Sequence, residues 1–180
     1  MASKGPPVLA SPHGDRTVAF SLQLQRAHQE LRHRVREIRA NIGDRSLPDD
    51  VLAHHCLAFC SALTEHHRGE DEGMFADVLR ARPDLAPTVA KLVEDHGWIT
   101  SILARVDSLA TRAAQSPGAD LDAIGRELDG LTAIMDSHFN FEERVLSAAL
   151  DRDTADSGWS GTVFRSGLSD RPGRRPEDRT

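Results

Sequence analysis

The sequence predicts an all-α domain, an up-down-up-down antiparallel four-helix bundle, from three observations. Four long stretches carry apolar residues at three- and four-residue spacing, and no stretch alternates as a strand would. The breaks between them are too short to carry the chain back along the length of a helix, so consecutive helices must run antiparallel.

The first helix is expected over residues 16 to 42, where Leu24, Leu31, Val35, Ile38 and Ile42 share a stripe; Gly43 and Pro48 in GDRSLPDD stop it. The second is expected over residues 48 to 80, with Leu52, Cys56, Phe59, Leu63 and Met74 on one face, and RARPDLAP ends it. The third carries Val89, Leu92, Val93, Ile99, Leu103 and Val106 ahead of SPGAD. The fourth carries Leu121, Ile124, Leu128, Leu131, Met135, Val145 and Leu146. The bundle therefore spans residues 16 to 150, after a flexible N-terminus over 1 to 15. From Asp151 the chain is rich in Gly, Ser, Arg and Asp with balanced charge and no period, so residues 151 to 180 read as a mostly disordered, flexible tail. In it, Trp159 and Phe164 are the candidates for local docking.

At 180 residues and 39% hydrophobic, the chain suits one domain with a substantial core. A formal net charge of −6 offers no general attraction to phosphate backbones or anionic lipid, so neither nucleic acid nor a membrane surface is an expected partner. The opening residues lack the apolar segment of a secretory signal, and no apolar run is long enough to span a bilayer; a cytoplasmic location is expected. Cys56 and Cys60, four apart on one helix, suit neither a structural disulfide nor C-x-x-C metal spacing, and read as small, reduced, partly buried residues.

The chemistry-bearing residues are histidines and glutamates where the apolar stripe should be. With about 100° between successive helical residues, His28 falls among Leu24, Leu31 and Val35, whereas His33 points away. His66 lies near Phe59, Ala62 and Leu63, with Glu70 still closer to the centre of that stripe. His96 is flanked by Val89, Leu92, Val93 and Leu103, and His138 and Glu142 share a face with Leu131, Met135 and Val145. An unpaired carboxylate in a bundle core costs several kcal/mol, and two beside four imidazoles compound the penalty. A metal compensates directly, since neutral imidazole nitrogen and carboxylate oxygen are both ligands and a carboxylate bridges two ions; His–Glu ion pairs within the core are the alternative. Glu-x-x-His di-iron spacing is not met at the inward histidines, since Leu63, Val93 and Met135 stand three before His66, His96 and His138, and H-E-x-x-H zinc spacing is absent. His13, His54 and His55 read as surface or loop residues, and Asp71 and Glu72 as a solvated acidic face.

The ordered set, His28, then HHRGEDEGMF with His66, Glu70 and Phe75, then His96, then HFNFEERVL with His138 and Glu142, resembles the hemerythrin-like, or HHE, domains over about residues 16 to 150. The resemblance implies a non-heme centre of two iron ions inside a four-helix bundle. His28, His66, Glu70, His96, His138 and Glu142 would be the ligands, with carboxylate and oxo or hydroxo bridges. It also implies dioxygen, peroxide or nitric oxide as the small ligand, with peroxide-consuming (catalase- or peroxidase-like) activity as one form. A regulatory module sensing iron or oxygen without turnover, and a metal-free structural bundle, are the alternatives. The sequence departs from the oxygen carriers at Thr100, where their third helix has a second histidine. His67, at the edge of the second helix's inward stripe, is either the replacement ligand or a solvent-facing neighbour.

Overall fold

The computed structural model describes residues 18–115 and 121–164, and within these the chain is helical with no strand. Helix α1 (Phe20–Asp44) ends where Arg45 takes a left-handed conformation, φ 49°, so the helix runs through Gly43 rather than stopping at it. Helix α2 (Asp49–Gly69) opens on Asp49 and Asp50, whose charges suit the positive end of the helix dipole. It passes without a break into a π-helical turn, Glu70–Met74, and then α3 (Phe75–Ala81). Pro83 disfavours helical geometry at Arg82, and a single 3-10 turn, Pro83–Leu85, leads into α4 (Ala86–Gln115). Helix α5 spans Leu121–Arg152, and a short α6 spans Ser160–Val163.

Helix α1 packs on α5, α2 on α4, and the pairs α4–α5 and α1–α2 complete the ring. Two apolar clusters fill it. The larger includes Leu31, Val35, Leu52, Phe59, Leu63, Ile99, Leu103, Leu128, Met135 and Phe139. The smaller includes Leu24, Met74, Phe75, Val78, Leu92, Leu146, Trp159 and Val163. Each long helix crosses from one cluster to the other, and His28, His66, His96 and His138 sit at the four crossings. Helices α1 and α4 leave the smaller cluster for the larger, whereas α5, and α2 through its continuation in the π turn and α3, leave the larger for the smaller.

Three expectations need correction. Over residues 151 to 164 the chain is not a flexible tail: α5 continues to Arg152, Val163 is buried, and Trp159 and Phe164, the docking candidates, pack ring against ring with Phe20. The apolar side chains spaced across that segment find a surface beside the π turn that composition could not reveal. Residues 165 to 180, like the expected flexible segment 1 to 15, lie outside the described residues. Val93, placed beside His96 on the apolar face, is instead exposed. Cys56 and Cys60 are buried free thiols, Cys56 completely, and burial pushes their pKa up to about 11 and about 12.

Candidate metal centre

The six histidines and glutamates singled out in the sequence come together between the two apolar clusters, and all are buried. His28 Nε2 and His66 Nε2 are 3.1 Å apart, and His96 Nε2 and His138 Nε2 are 3.0 Å apart. Glu70 lies between the pairs: Oε1 is 3.0 Å from His66 Nε2, and Oε2 is 3.4 Å from His96 Nε2. Glu142 joins them a second time, with Oε2 3.5 Å from His28 Nε2 and 3.6 Å from His138 Nε2. The ring of Phe139 stacks on His28 at 3.8 Å between centroids and closes the side of the cluster toward the larger apolar core.

His67 belongs to this cluster. Neighbouring residues on a helix point about 100° apart, so His66 turns toward His28 while His67 turns toward His96, on which it stacks at 4.0 Å. Its ring is buried, and the solvent-facing alternative does not hold. Ligand-type atoms fall into two groups that share Glu70: His28, His66 and Glu70; and His67, Glu70, His96 and His138. Thr100, by contrast, is exposed and lines a surface groove with Leu57, Cys60 and Thr64.

The outer ring nitrogens show which way the protons point. His28 Nδ1 donates to Glu143 Oε1 at 2.8 Å, His96 Nδ1 to Asp71 Oδ1 at 2.8 Å, and His66 Nδ1 to the Val163 carbonyl at 2.8 Å. His138 Nδ1 faces Asp95 Oδ2 at 3.6 Å. Arg32 holds Glu143 in place and also donates to Asp136 and Asn140. Burial drives the His28 and His66 rings toward the neutral form, His28 well below its ordinary range, and lowers His138 to about 3. A neutral ring that donates through Nδ1 keeps a bare lone pair on Nε2, so the Nε2 atoms of His28 and His66 face each other at 3.1 Å with no proton between them, whereas His138 Nδ1 has no hydrogen-bond partner to fix its tautomer.

That arrangement suits a cation. Among the described residues, both oxygens of Glu70, both oxygens of Glu142 and both ring nitrogens of His67 are buried without a hydrogen-bond partner. Burial raises the Glu70 carboxyl to about 8 and Glu142 well above its ordinary range, a penalty on the ionised carboxylates that a metal's positive charge would offset. Two imidazole nitrogens bound cis to one ion at about 2.1 Å would lie about 3 Å apart, which matches both Nε2 pairs. The donor set, the outer carboxylates that orient it and the orphaned atoms all fit metal ions.

Sequence reasoning missed the orienting residues. Asp71, read as part of a solvated face, caps His96, and Glu143 caps His28. The signal was present: each candidate bridging glutamate is followed directly by another acid, in HHRGED and HFNFEE. A surface groove lined by Lys91, Asp95, Ser137, His138 and Arg144 reaches the cluster's edge at His138.

No helix among the described residues is long and apolar enough to cross a membrane. Comparison with curated proteins and with solved structures gave no match. A family model described as "Hemerythrin HHE cation binding domain" matches residues 21–150, the stretch that carries every residue of the cluster.

Proposed function

The chain belongs to the hemerythrin HHE cation-binding family, and from that premise we propose that its cluster holds two iron ions and binds or processes dioxygen, peroxide or nitric oxide. The crossing order of the helices supports the up-down-up-down bundle that such a centre needs, since facing helices then meet at one level. One observation carries the reading: two nitrogen groups share the Glu70 carboxylate, one oxygen toward each, and Glu142 spans them again.

In this reading His28 and His66 would hold one ion and His67, His96 and His138 the other, with Glu70 and Glu142 available to both. His67 takes the place left by Thr100. An iron pair supplies reversible electron transfer to a small oxygen or nitrogen ligand. The protein residues orient and exclude: Glu143, Asp71 and Val163 hold the imidazoles with Nε2 inward, and Phe139 and the two apolar clusters keep water from the flanks.

Anaerobic ferrous titration of chelated protein, followed by dioxygen or hydrogen peroxide, tests the reading. Wild type is expected to take up iron and develop a ligand-dependent visible band, and His67→Ala to lose most of it. A wild-type chain that takes up no iron, or whose bound iron is indifferent to dioxygen, peroxide and nitric oxide alike, contradicts it. A metal-sensing role has one observation in its favour, the bond from His66 to the carbonyl of Val163, which ties the cluster to the C-terminal segment. Peroxide consumption that survives many turnovers favours an enzyme over that sensor.

A further inference from the structure

The segment after α5 returns along the outside of α2 and the π turn, and its contacts are specific. Trp159 is buried, and its Nε1 donates to Asp77 Oδ2 at 3.0 Å; the Ser157 backbone N–H donates to the same oxygen at 3.0 Å. The second oxygen of Asp77 accepts from Arg80. Burial would raise the Asp77 carboxyl, but the bonds from Ser157, Arg80 and Trp159 outweigh it and hold it below the ordinary carboxylate range.

Two glycines make the approach possible. A Cβ on Gly73 would lie 2.5 Å from Trp159 Cβ, and one on Gly69 would lie 2.9 Å from Thr162 Cγ2 and 3.0 Å from Val163 Cγ2. Spaced four apart in RGEDEG, they leave a shallow track on one side of the helix that carries Glu70. At the end of the track the Val163 carbonyl meets His66 Nδ1. The other cluster histidines with a bonded Nδ1, His28 and His96, use carboxylates on α5 and the π turn; among the cluster histidines only His66 relies on a segment outside the bundle.

We propose that residues 157–164 are a positioning strap for the metal centre: Asp77 anchors the strap through Trp159 and Ser157, and the Val163 carbonyl fixes the His66 imidazole with Nε2 facing His28 and Glu70. Without that acceptor the buried ring loses its only outer partner and is free to place its proton on Nε2, which blocks the lone pair the cluster needs. The strap therefore acts on the two-histidine side and leaves His67, His96 and His138 alone. The inference rests on the two-ion reading for its metal arm and stands without it for its proton arm.

Gly73→Ala and Asp77→Ala disturb the strap without altering any group in the cluster, and Asp77→Asn keeps an oxygen for Trp159 and Ser157. In a Trp98→Phe background, Trp159 fluorescence reports release of the strap; the Gly73→Ala/Asp77→Ala double variant ensures it. In the chelated full-length chain with 15N-labelled histidine, the His66 Nδ1–H signal is expected to vanish on release while those of His28 and His96 persist. Asp77→Asn should retain it. In ferrous titrations the released variants should bind one ion as wild type does and the other about ten-fold or more weakly. A released strap with an unchanged His66 proton overturns the proposal, as do two unchanged affinities. A wild-type chain that binds no ferrous ion defeats the two-ion reading instead, and the proton arm then still decides the strap.

Discussion

His66 and His67 are adjacent in the chain and face different parts of one cluster, and the difference makes His67 separable. His67→Ala is expected to lower bound metal and to leave His28 and His66 in place, because its ring stacks on His96 at 4.0 Å while His66 is held separately by the Val163 carbonyl. Thr100→His should change neither metal content nor spectrum, since position 100 faces solvent; the reverse pattern would return the fifth-ligand role to α4. Protonation gives a second test at this scale. In metal-free protein Glu70 keeps its proton to about pH 8 when folded but titrates near 4.5 when unfolded, so its contribution to stability is lost as pH rises through that window. His138 runs the other way: its contribution is complete above pH 6.5 and is lost as pH falls toward about 3. Between 6.5 and 8 the carboxyl effect is left alone. The melting temperature of chelated protein should fall across this interval while that of metal-loaded protein holds or rises, and a chelated protein that gains stability there contradicts the assignment.

At the scale of elements, the turn after α1 carries a local cost. Arg45 adopts the left-handed region that favours glycine, and its 3.6 Å pair with Asp122 is between exposed groups, which contribute little. Arg45→Gly should raise stability by about 0.5 to 1 kcal/mol in denaturant unfolding. A loss of similar size would show that the ion pair matters more. Gly43 and Pro48 correctly signalled a break, but which residue takes positive φ depends on how the following helix docks. The same limit applies to the second helix. A fixed 100° step put His66 and Glu70 on the buried stripe correctly, yet it has no means of showing the π turn, whose bond from the Phe75 N–H to the Glu70 carbonyl brings Phe75 into line five residues on. The His28, His96 and His138 positions were legible because apolar neighbours frame them at three- and four-residue spacing. The strap was legible only at Trp159 and Phe164, the docking candidates; its course was not, because Trp159 and Val163 have no period of their own and are buried against Gly73, Gly69 and Phe20, distant in sequence.

At the scale of the molecule, the apolar clusters on either side of the centre come from all four long helices, and so do the candidate ligands. A ligand set drawn from four helices exists only in the folded chain, so metal should raise the melting temperature and a chelator should lower it. Equal melting of both forms would mean that the buried imidazoles and carboxyls are satisfied by protons alone. Metal content decides the matter most directly. Elemental analysis of wild type, Glu70→Ala and Glu142→Ala after ferrous loading and desalting should give about two ions per chain in wild type and much less in each variant, because each carboxylate spans both nitrogen groups. Full occupancy in both variants, or none in the wild type, would contradict the two-ion centre.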